Sequence, residues 1–293
     1  MPYHFIYNPT AGNGQSIKVW AIVKDYLAKN KINYTCHETK YVNHAQEIVH
    51  DLTNRDEDIT VIAVGGDGTL SEVINGIVNF KRTTLSIIPC GGGNDFLGAT
   101  KLPHENPIAQ IEYVLNGTTR PIDFMIINDK WRSINVAGFG LDTEVLQKYY
   151  QMKHFSQKFR YKYAVFFKTL FFKWHKGTIK IDNQPAFDTV TLLLSVGNGQ
   201  TVGGGINMCP TATIDDGYLD FTYIERFPRW KTIWALRRVL NGKILQLSFV
   251  KNTKCKQVDI QLSSPVFQYD GILVEGERTL SVKISDQKIN FIG

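Results

Sequence analysis

The chain has 293 residues, 43% of them hydrophobic and 20% charged, which excludes a disordered or fibrous protein and leaves room for two domains. Its formal charge of +6 and pI near 9.0 favour an anionic partner (nucleotide, phospholipid surface or nucleic acid) without choosing among them. Cys36, Cys90, Cys209 and Cys255 lack CxxC or metal-ligand spacing, no apolar run is long enough to span a bilayer, and the first residues lack a secretory pattern, so a cytoplasmic protein with reduced thiols is expected.

In chain order, Tyr3–Tyr7 reads as a strand and NPTAGNG as the loop after it. Ser16 is placed to cap a helix whose apolar face is Val19, Trp20, Ile22, Val23, Tyr26 and Leu27. INYTCHE is a second strand, and Asn43 opens a second helix. ITVIAV is nearly free of polar residues, as expected of a strand covered on both faces. A helix follows with Leu70, Val73, Ile74 and Ile77 at helical spacing, then the strand TLSIIP, a helix over Pro107–Leu115 and the strand PIDFMII. This alternation predicts a parallel, helix-covered sheet over residues 1–125. Over 126–293 strand-like runs dominate (GTIKI, TVTLLLSV, YLDFTYI, KQVDIQL, LSVKI), with helical stretches near 144–174 and 228–241. That pattern predicts a second, β-rich domain. KINFI at the end reads as a strand that can join either domain.

Residues 61–76, VIAVGGDGTLSEVING, run a buried strand into three glycines around Asp67 and then into a helix. Such a junction aims several backbone N–H groups at one point, which suits an anion. Thr69 and Glu72 also have the T-x-x-E spacing of a capping box, so Glu72 reads equally as cap or ligand. Capping does not explain Asp67, because a carboxylate beside phosphate needs a metal or a proton transfer to offset it. SIIPCGGGNDF, residues 86–96, repeats the arrangement with Gly91, Gly92, Gly93, Asn94 and Asp95; alone it reads as an Asx-turn loop. Both clusters end successive strands, so they fall on one sheet edge together with the loop at Asn8. In the second domain, Gly203–Gly205 reads as a turn, and Asp215-Asp216-Gly217 taken alone reads as a hairpin turn.

Taken in order, NPTAG, GGDGTLSEVING, P-x-G-x-G-N-D-F and GGGINMCPTATIDDGYLD resemble the bacterial diacylglycerol kinase and lipid kinase family, from Asn8 to about Arg278. GGDGT is shared with NAD kinases and phosphofructokinases; the N-D after the second cluster and P-x-A-x-x-D-D-G-x-L are the narrower marks. The resemblance implies an NAD-kinase/phosphofructokinase-like α/β nucleotide-binding domain and a β-sandwich-like lipid-binding domain. It implies that ATP phosphates lie along Asn8, Thr39, Gly65, Gly66, Asp67, Gly68, Thr69, Glu72, Asn75 and Gly92, with Gly91, Asn94 and Asp95 in the same loop. Asp67 would act on the phosphate–magnesium side, and Asp216 would hold Mg2+ with the carbonyls of Thr213 and Tyr218. The implied reaction is transfer of the γ-phosphoryl group of ATP to a lipid hydroxyl, with diacylglycerol giving phosphatidic acid.

Two positions depart from that pattern. Gly92 stands where the family has Thr or Ser. Aligning Asp270-Gly271 with the family's D-G-E motif puts Ile272 where the general-base glutamate belongs, and isoleucine cannot accept a proton. Asp270, Glu275 and Glu277 are the acids at hand to replace it; read in a strand, Asp270 shares the face of Ile272, and Glu275 and Glu277 need a bulge or loop. The readings are therefore a lipid kinase, an NAD kinase, and a nucleotide- or lipid-binding relative without catalysis.

Residues 148–176 and 226–243 interleave lysine and arginine with aromatic residues. They suit either a peripheral contact with anionic lipid on the inner membrane face or core-facing helices with a solvated basic side. No RNA-binding motif accompanies them, so nucleic acid is not expected. The lipid acceptor carries no motif, and exposed sheet edges leave a homodimer open.

Overall fold

The computed structural model describes residues 2–104, 106–152 and 157–293. They fall into two compact units, Met1–Phe124 with Ser285–Gly293, and Met125–Ile284.

The first unit contains strands β1 Tyr3–Tyr7, β2 Tyr34–Glu38, β3 Ile59–Gly65, β4 Thr83–Pro89 and β5 Arg120–Ile122, and helices α1 Gln15–Lys29, α2 His44–Thr53, α3 Asp67–Gly76 and α4 Pro107–Asn116. The chain's last strand, Ile289–Phe291, returns to this sheet between β4 and β5. The order is β2-β1-β3-β4-last-β5, with every pairing parallel except that of β5. β3 is buried at every position, as its run ITVIAVG requires when helices cover both faces. Val19, Val23 and Leu27 of α1 and Val73 and Ile74 of α3 supply those covering faces.

Two expectations fail here. Ser16 does not cap α1, because Gly14 in a left-handed conformation holds the cap position and places Ser16, buried, within the first turn. PIDFMII is not one strand: it divides at Asp123-Phe124, with β5 pairing to the last strand and the next segment pairing into the second unit's sheet. Phe124 stacks on Phe80 at 4.8 Å, and buried Asp123 is ion-paired with Lys288. An unbroken apolar run carries no mark of a change of sheet.

The second unit is built on β6 Met125–Ile127, β7 Trp131–Ser133, β8 Val136–Gly140, α5 Leu141–Gln151, α6 Gln157–Leu170, β9 His175–Ile181, β10 Phe187–Gly197, β11 Thr201–Val202, β12 Ile206–Asn207 and β13 Leu219–Glu225. It continues with α7 Thr232–Leu240, β14 Val250–Cys255, β15 Gln257–Leu262, β16 Val266–Tyr269, β17 Ile272–Glu275 and β18 Thr279–Ile284. Apart from the β11–β12 hairpin, the strands form one antiparallel sheet, β17-β16-β8-β10-β9-β15-β18-β6-β7, with β13 joining β10 to β14. β10 pairs with β9 through Thr191 and, after a register shift, with β8 from Leu193, so the sheet curls at that point. Inside the curl lies one core, which includes Phe139, Val196, Phe221, Ile260, Phe267 and Val282. A second core, with Leu141, Ala164, Leu193, Ile224, Ala235 and Phe249, lies between the sheet and α5–α7. The basic aromatic stretch 148–176 is covered in part, since residues 153–156 lie outside the described ones.

Candidate functional site

β1 leads to β2 on one side and to β3 on the other, so the order of the first sheet reverses between β1 and β3. Open α/β sheets bind ligands beyond the C-terminal ends of their strands at such a point. Asn8 follows β1 and laces three segments. Its backbone N–H donates to Val64 O at 3.1 Å, and its Oδ1 accepts the N–H and hydroxyl of Thr10 at 3.0 and 2.8 Å. Its Nδ2 donates to Thr69 Oγ1 at 2.9 Å. Thr39, after β2, donates its N–H to Tyr7 O at 2.8 Å, and Cys90, after β4, donates to Gly65 O at 2.7 Å.

The two glycine loops touch backbone to backbone. A Cβ on Gly66 would lie 3.0 Å from the Gly91 Cα, and one on Gly91 would lie 2.8 Å from the Gly66 Cα. These two glycines therefore serve loop packing first. Gly68 differs: it is exposed in the first turn of α3, with open space where a side chain would be. Asp67 Oδ2 accepts the N–H of Asp95 at 3.1 Å and its Oδ1 accepts that of Phe96 at 3.3 Å, so it holds the short 3-10 turn Asp95–Ala99. Burial, and then the charge of Asp95, push the Asp67 carboxyl above its ordinary pKa. Asn94 closes the second loop on itself, accepting the Gly91 N–H at 2.9 Å and donating to Gly91 O at 3.0 Å.

The capping box does not form. α3 begins at Asp67, directly after Gly66, so Thr69 already lies in the helix. Glu72 Oε2 accepts the Ala45 N–H at the start of α2, at 3.2 Å, and Asn75 Nδ2 donates to Ser71 O at 2.8 Å. The structure thus brings Asn8, Thr39, Gly65–Thr69 and Gly91–Asp95 to one sheet edge. Around them, the first-turn N–H groups of α3, unable to bond within the helix, supply donors that fit a phosphate.

In the second unit, Thr213, Asp216 and Tyr218 lie in the loop that enters β13. Carboxylate and carbonyl oxygens are hard donors of the kind Mg2+ takes. Here, however, Asp216 Oδ1 accepts the Tyr218 N–H at 3.0 Å and Oδ2 is ion-paired with Lys254 of β14. Among the described residues no group of three or more His, Cys, Asp or Glu side chains is placed to hold a metal. As placed, Lys254 balances the Asp216 carboxylate, so a divalent ion there would have to displace the ammonium.

Asp270 and Glu277 flank β17 and differ in environment. Asp270-Gly271 is the two-residue turn of the β16–β17 hairpin, with φ values of 46° and 80°, which only a turn rich in Asp, Asn or Gly adopts readily. Asp270 is therefore outside the strand, and the face-sharing read from strand alternation does not apply to it. Its carboxylate accepts the Ser133 hydroxyl at 2.7 Å and the N–H groups of Ile134, Asn135 and Val136 at 3.3, 3.2 and 3.2 Å. Burial pushes its carboxyl up to about 6. Glu277 pairs with Lys130 at 2.5 Å, partly exposed. Ile272, first in β17, packs against the curled-sheet core beside Val274.

One carboxylate escaped the sequence reading. Asp142, in the first turn of α5, accepts its neighbour Thr143 N–H at 2.7 Å and Gln268 Nε2 at 3.2 Å, and burial pushes it up to about 6. G-F-G-L-D has the same grammar as G-G-D-G: a strand ending in glycine, then an acid opening a helix. That recurrence was the available signal.

Comparison with known proteins matches this geometry to a family. Residues 2–127 match the diacylglycerol kinase catalytic domain, and 135–292 the YegS C-terminal NAD kinase beta sandwich-like domain. A diacylglycerol kinase of Bacillus subtilis is 28% identical over 263 residues, 88% of this chain and 85% of that one. One from Staphylococcus saprophyticus is 30% identical over 223 residues, 75% of this chain and 72% of that one. Among solved structures, a diacylglycerol kinase from Bacillus anthracis has a TM-score of 0.72 at 21% identity, covering 99% of this chain and 96% of that one. An NAD kinase from Archaeoglobus fulgidus in complex with ATP has a TM-score of 0.54 at 11% identity, covering 100% and 94%; these two likenesses speak to fold alone. With its catalytic and C-terminal halves both matched in order, the chain belongs to the diacylglycerol kinase family of lipid kinases.

Proposed function

We propose that the protein transfers the γ-phosphoryl group of MgATP to a lipid hydroxyl, with diacylglycerol as acceptor and phosphatidic acid as product. The observation that carries this reading is the lacing of Asn8, Asp67 and Gly91–Asp95 where the parallel sheet reverses its order. Phosphoryl transfer asks a protein mainly for positioning and charge neutralisation. The first-turn N–H groups of α3 would receive the phosphates, with Gly68 open to their approach and Asn8, Thr39, Thr69, Glu72, Asn75 and Gly92 around them. Magnesium bound with the nucleotide would supply charge neutralisation at the phosphates. Asp67 would keep the two loops in register and face the nucleotide side as a carboxylate that protonates more readily than usual.

For the proton of the acceptor hydroxyl, Glu277 is the better of the two acids beside β17. Its carboxylate has a solvent-accessible lysine as partner, whereas every oxygen of Asp270 is spent on the 133–136 segment. A second reading has its own support. Ile272 is packed where the family's base belongs, which favours a nucleotide- and lipid-binding relative that no longer transfers phosphate.

The test is a panel of acceptors with labelled ATP and magnesium: diacylglycerol in mixed micelles, sphingosine, and NAD. Label in phosphatidic acid alone supports the first reading. Label in NADP would replace the lipid with a dinucleotide, and ATP binding without any labelled product would leave the second reading standing.

A further inference from the structure

Arg160, in the first turn of α6, lays its guanidinium over the Tyr149 ring of α5, 4.6 Å from the ring centre. The stacking fixes the plane of the guanidinium. Its hydrogen bonds are poor, however. Among the described residues Nε is buried without a partner, and Nη2 donates to the Tyr149 hydroxyl at a long 3.5 Å. Buried polar nitrogens are nearly always bonded, so an orphan marks a missing partner. An arginine that merely covered Tyr149 would leave its nitrogens in water, which satisfies them.

The helix pair offers Arg160 no counter-charge. α6 contains no Asp or Glu, and the two acids of α5 are engaged elsewhere. Glu144 holds Lys168 at 3.3 Å and His175 at 3.1 Å, and Asp142 accepts Gln268 Nε2 at 3.2 Å. A half-buried cation without an acid calls for an anion from outside the chain. Nε and Nη2 lie on one edge of the guanidinium, the edge that grips two oxygens of an oxyanion side-on.

The neighbourhood narrows which anion. Burial raises the pKa of the adjacent Tyr150 hydroxyl, and the charge of Arg160 opposes that rise, so the two groups lie close together. The Tyr150 hydroxyl donates to Gly271 O at 2.9 Å. Gly271 belongs to the turn that leads into Ile272, the position the family gives its base. Arg160 is thus one side chain removed from the turn beside which, on the lipid-kinase reading, the acceptor hydroxyl gains its phosphate.

We infer that Arg160 binds the phosphate monoester of the lipid product, Nε and Nη2 gripping two of its oxygens, and so distinguishes phosphorylated from unphosphorylated lipid at the acceptor site. The identity of the lipid rests on the lipid-kinase reading; the binding itself needs neither ATP nor turnover.

Dihexanoyl phosphatidate and dihexanoylglycerol, both below their micelle concentrations, and inorganic phosphate are titrated calorimetrically into the full chain without nucleotide. The parent should bind phosphatidate about tenfold or more tightly than dihexanoylglycerol or inorganic phosphate. Arg160→Gln should remove that margin and leave dihexanoylglycerol binding unchanged. Arg160→Lys, which keeps a charge but not the planar fork, should retain part of it. Melting temperatures equal to the parent's would separate lost phosphate contact from lost stacking on Tyr149, and the preference in the parent is decisive even if Arg160→Gln does not fold. A parent without that preference, a margin that survives in Arg160→Gln, or inorganic phosphate bound as tightly as phosphatidate would each overturn the assignment. Turnover without the preference would sink it and spare the kinase reading; the preference without turnover would do the reverse.

Discussion

The carboxylate of Asp67 accepts the backbone N–H of Asp95 at 3.1 Å, so an acid in one glycine-rich loop holds the turn of the other. The glycines on either side let the loops approach closely enough for this to happen, through the Gly66–Gly91 contact. Asp67 is thus a structural tie as well as a candidate group at the phosphates.

Replacing Asp67 should separate those roles. Asp67→Ala leaves two backbone donors without their charged acceptor, a loss on the order of 2–3 kcal/mol, whereas Asp67→Asn keeps one acceptor oxygen and should lose less. Urea unfolding gives the stability and a fluorescent ATP analogue gives binding. If Asp67→Asn melts like the parent and binds nucleotide equally well but turns over none, Asp67 acts in the reaction; if both variants are merely unstable, it is a tie alone.

Asn8→Ala removes the Nδ2 bond to Thr69 and both bonds to Thr10. These groups are partly exposed, so a stability loss of only about 1 kcal/mol is expected. Nucleotide affinity should fall further than that, because the loop after β1 loses its tether to α3. Calorimetric titration with ATP would show it, and an unchanged dissociation constant would count against placing the phosphates here.

Asp270→Ala should be the most damaging change in the second unit. It strips the acceptor from Ile134, Asn135 and Val136 N–H and from the Ser133 hydroxyl, all on buried residues, at a partly buried carboxylate. Orphaned buried donors cost roughly 1–3 kcal/mol each, so failure to fold or a loss above about 3 kcal/mol is expected. A stable Asp270→Ala variant that has lost only turnover would instead make Asp270 the catalytic base.

Burial pushes both Asp142 and Asp270 up to about 6. The folded state then holds their protons more tightly than the unfolded chain does. This contribution is fully present below about pH 4 and is lost as pH rises through about 6, at on the order of 2–3 kcal/mol per group. Asp142→Asn cannot ionise, so its melting temperature relative to the parent should improve from about pH 4 to about pH 6 and then level off. A difference that is flat across that range would mean the Asp142 carboxyl titrates normally.

Lys254 guards Asp216. In Lys254→Met the carboxylate is released, and millimolar MgCl2 should raise the melting temperature of the variant but not of the parent. An equal response in both would show that the ammonium gives way to magnesium and that the loop entering β13 holds the ion after all.

Much of this was legible in the sequence because the physics is local. Apolar runs of strand length ending in glycine mark buried parallel strands, and ITVIAVGG predicts both β3 and its loop. The edge shared by Asn8, Asp67 and Asn94 follows from strand–helix alternation. What eluded the sequence depends on partners far along the chain. Glu72 had a capping partner three residues away on paper, but the helix begins earlier and the side chain reaches α2. Asp270 has strand neighbours on both sides, and only the hairpin register reveals it as a turn residue. PIDFMII changes sheet without any change in composition, and nothing local to Asp216 announces Lys254, 38 residues away.

The account turns on whether this chain, with Ile272 in place of a glutamate, still moves phosphate. The direct measurement is the initial rate of labelled phosphatidic acid formation from ATP, magnesium and diacylglycerol micelles, for the parent, Asp67→Asn, Glu277→Gln and Ile272→Glu side by side. The account predicts measurable turnover in the parent, none in Asp67→Asn and a large loss in Glu277→Gln. A silent parent beside an active Ile272→Glu variant would contradict it and identify a kinase fold that binds its ligands without transferring between them.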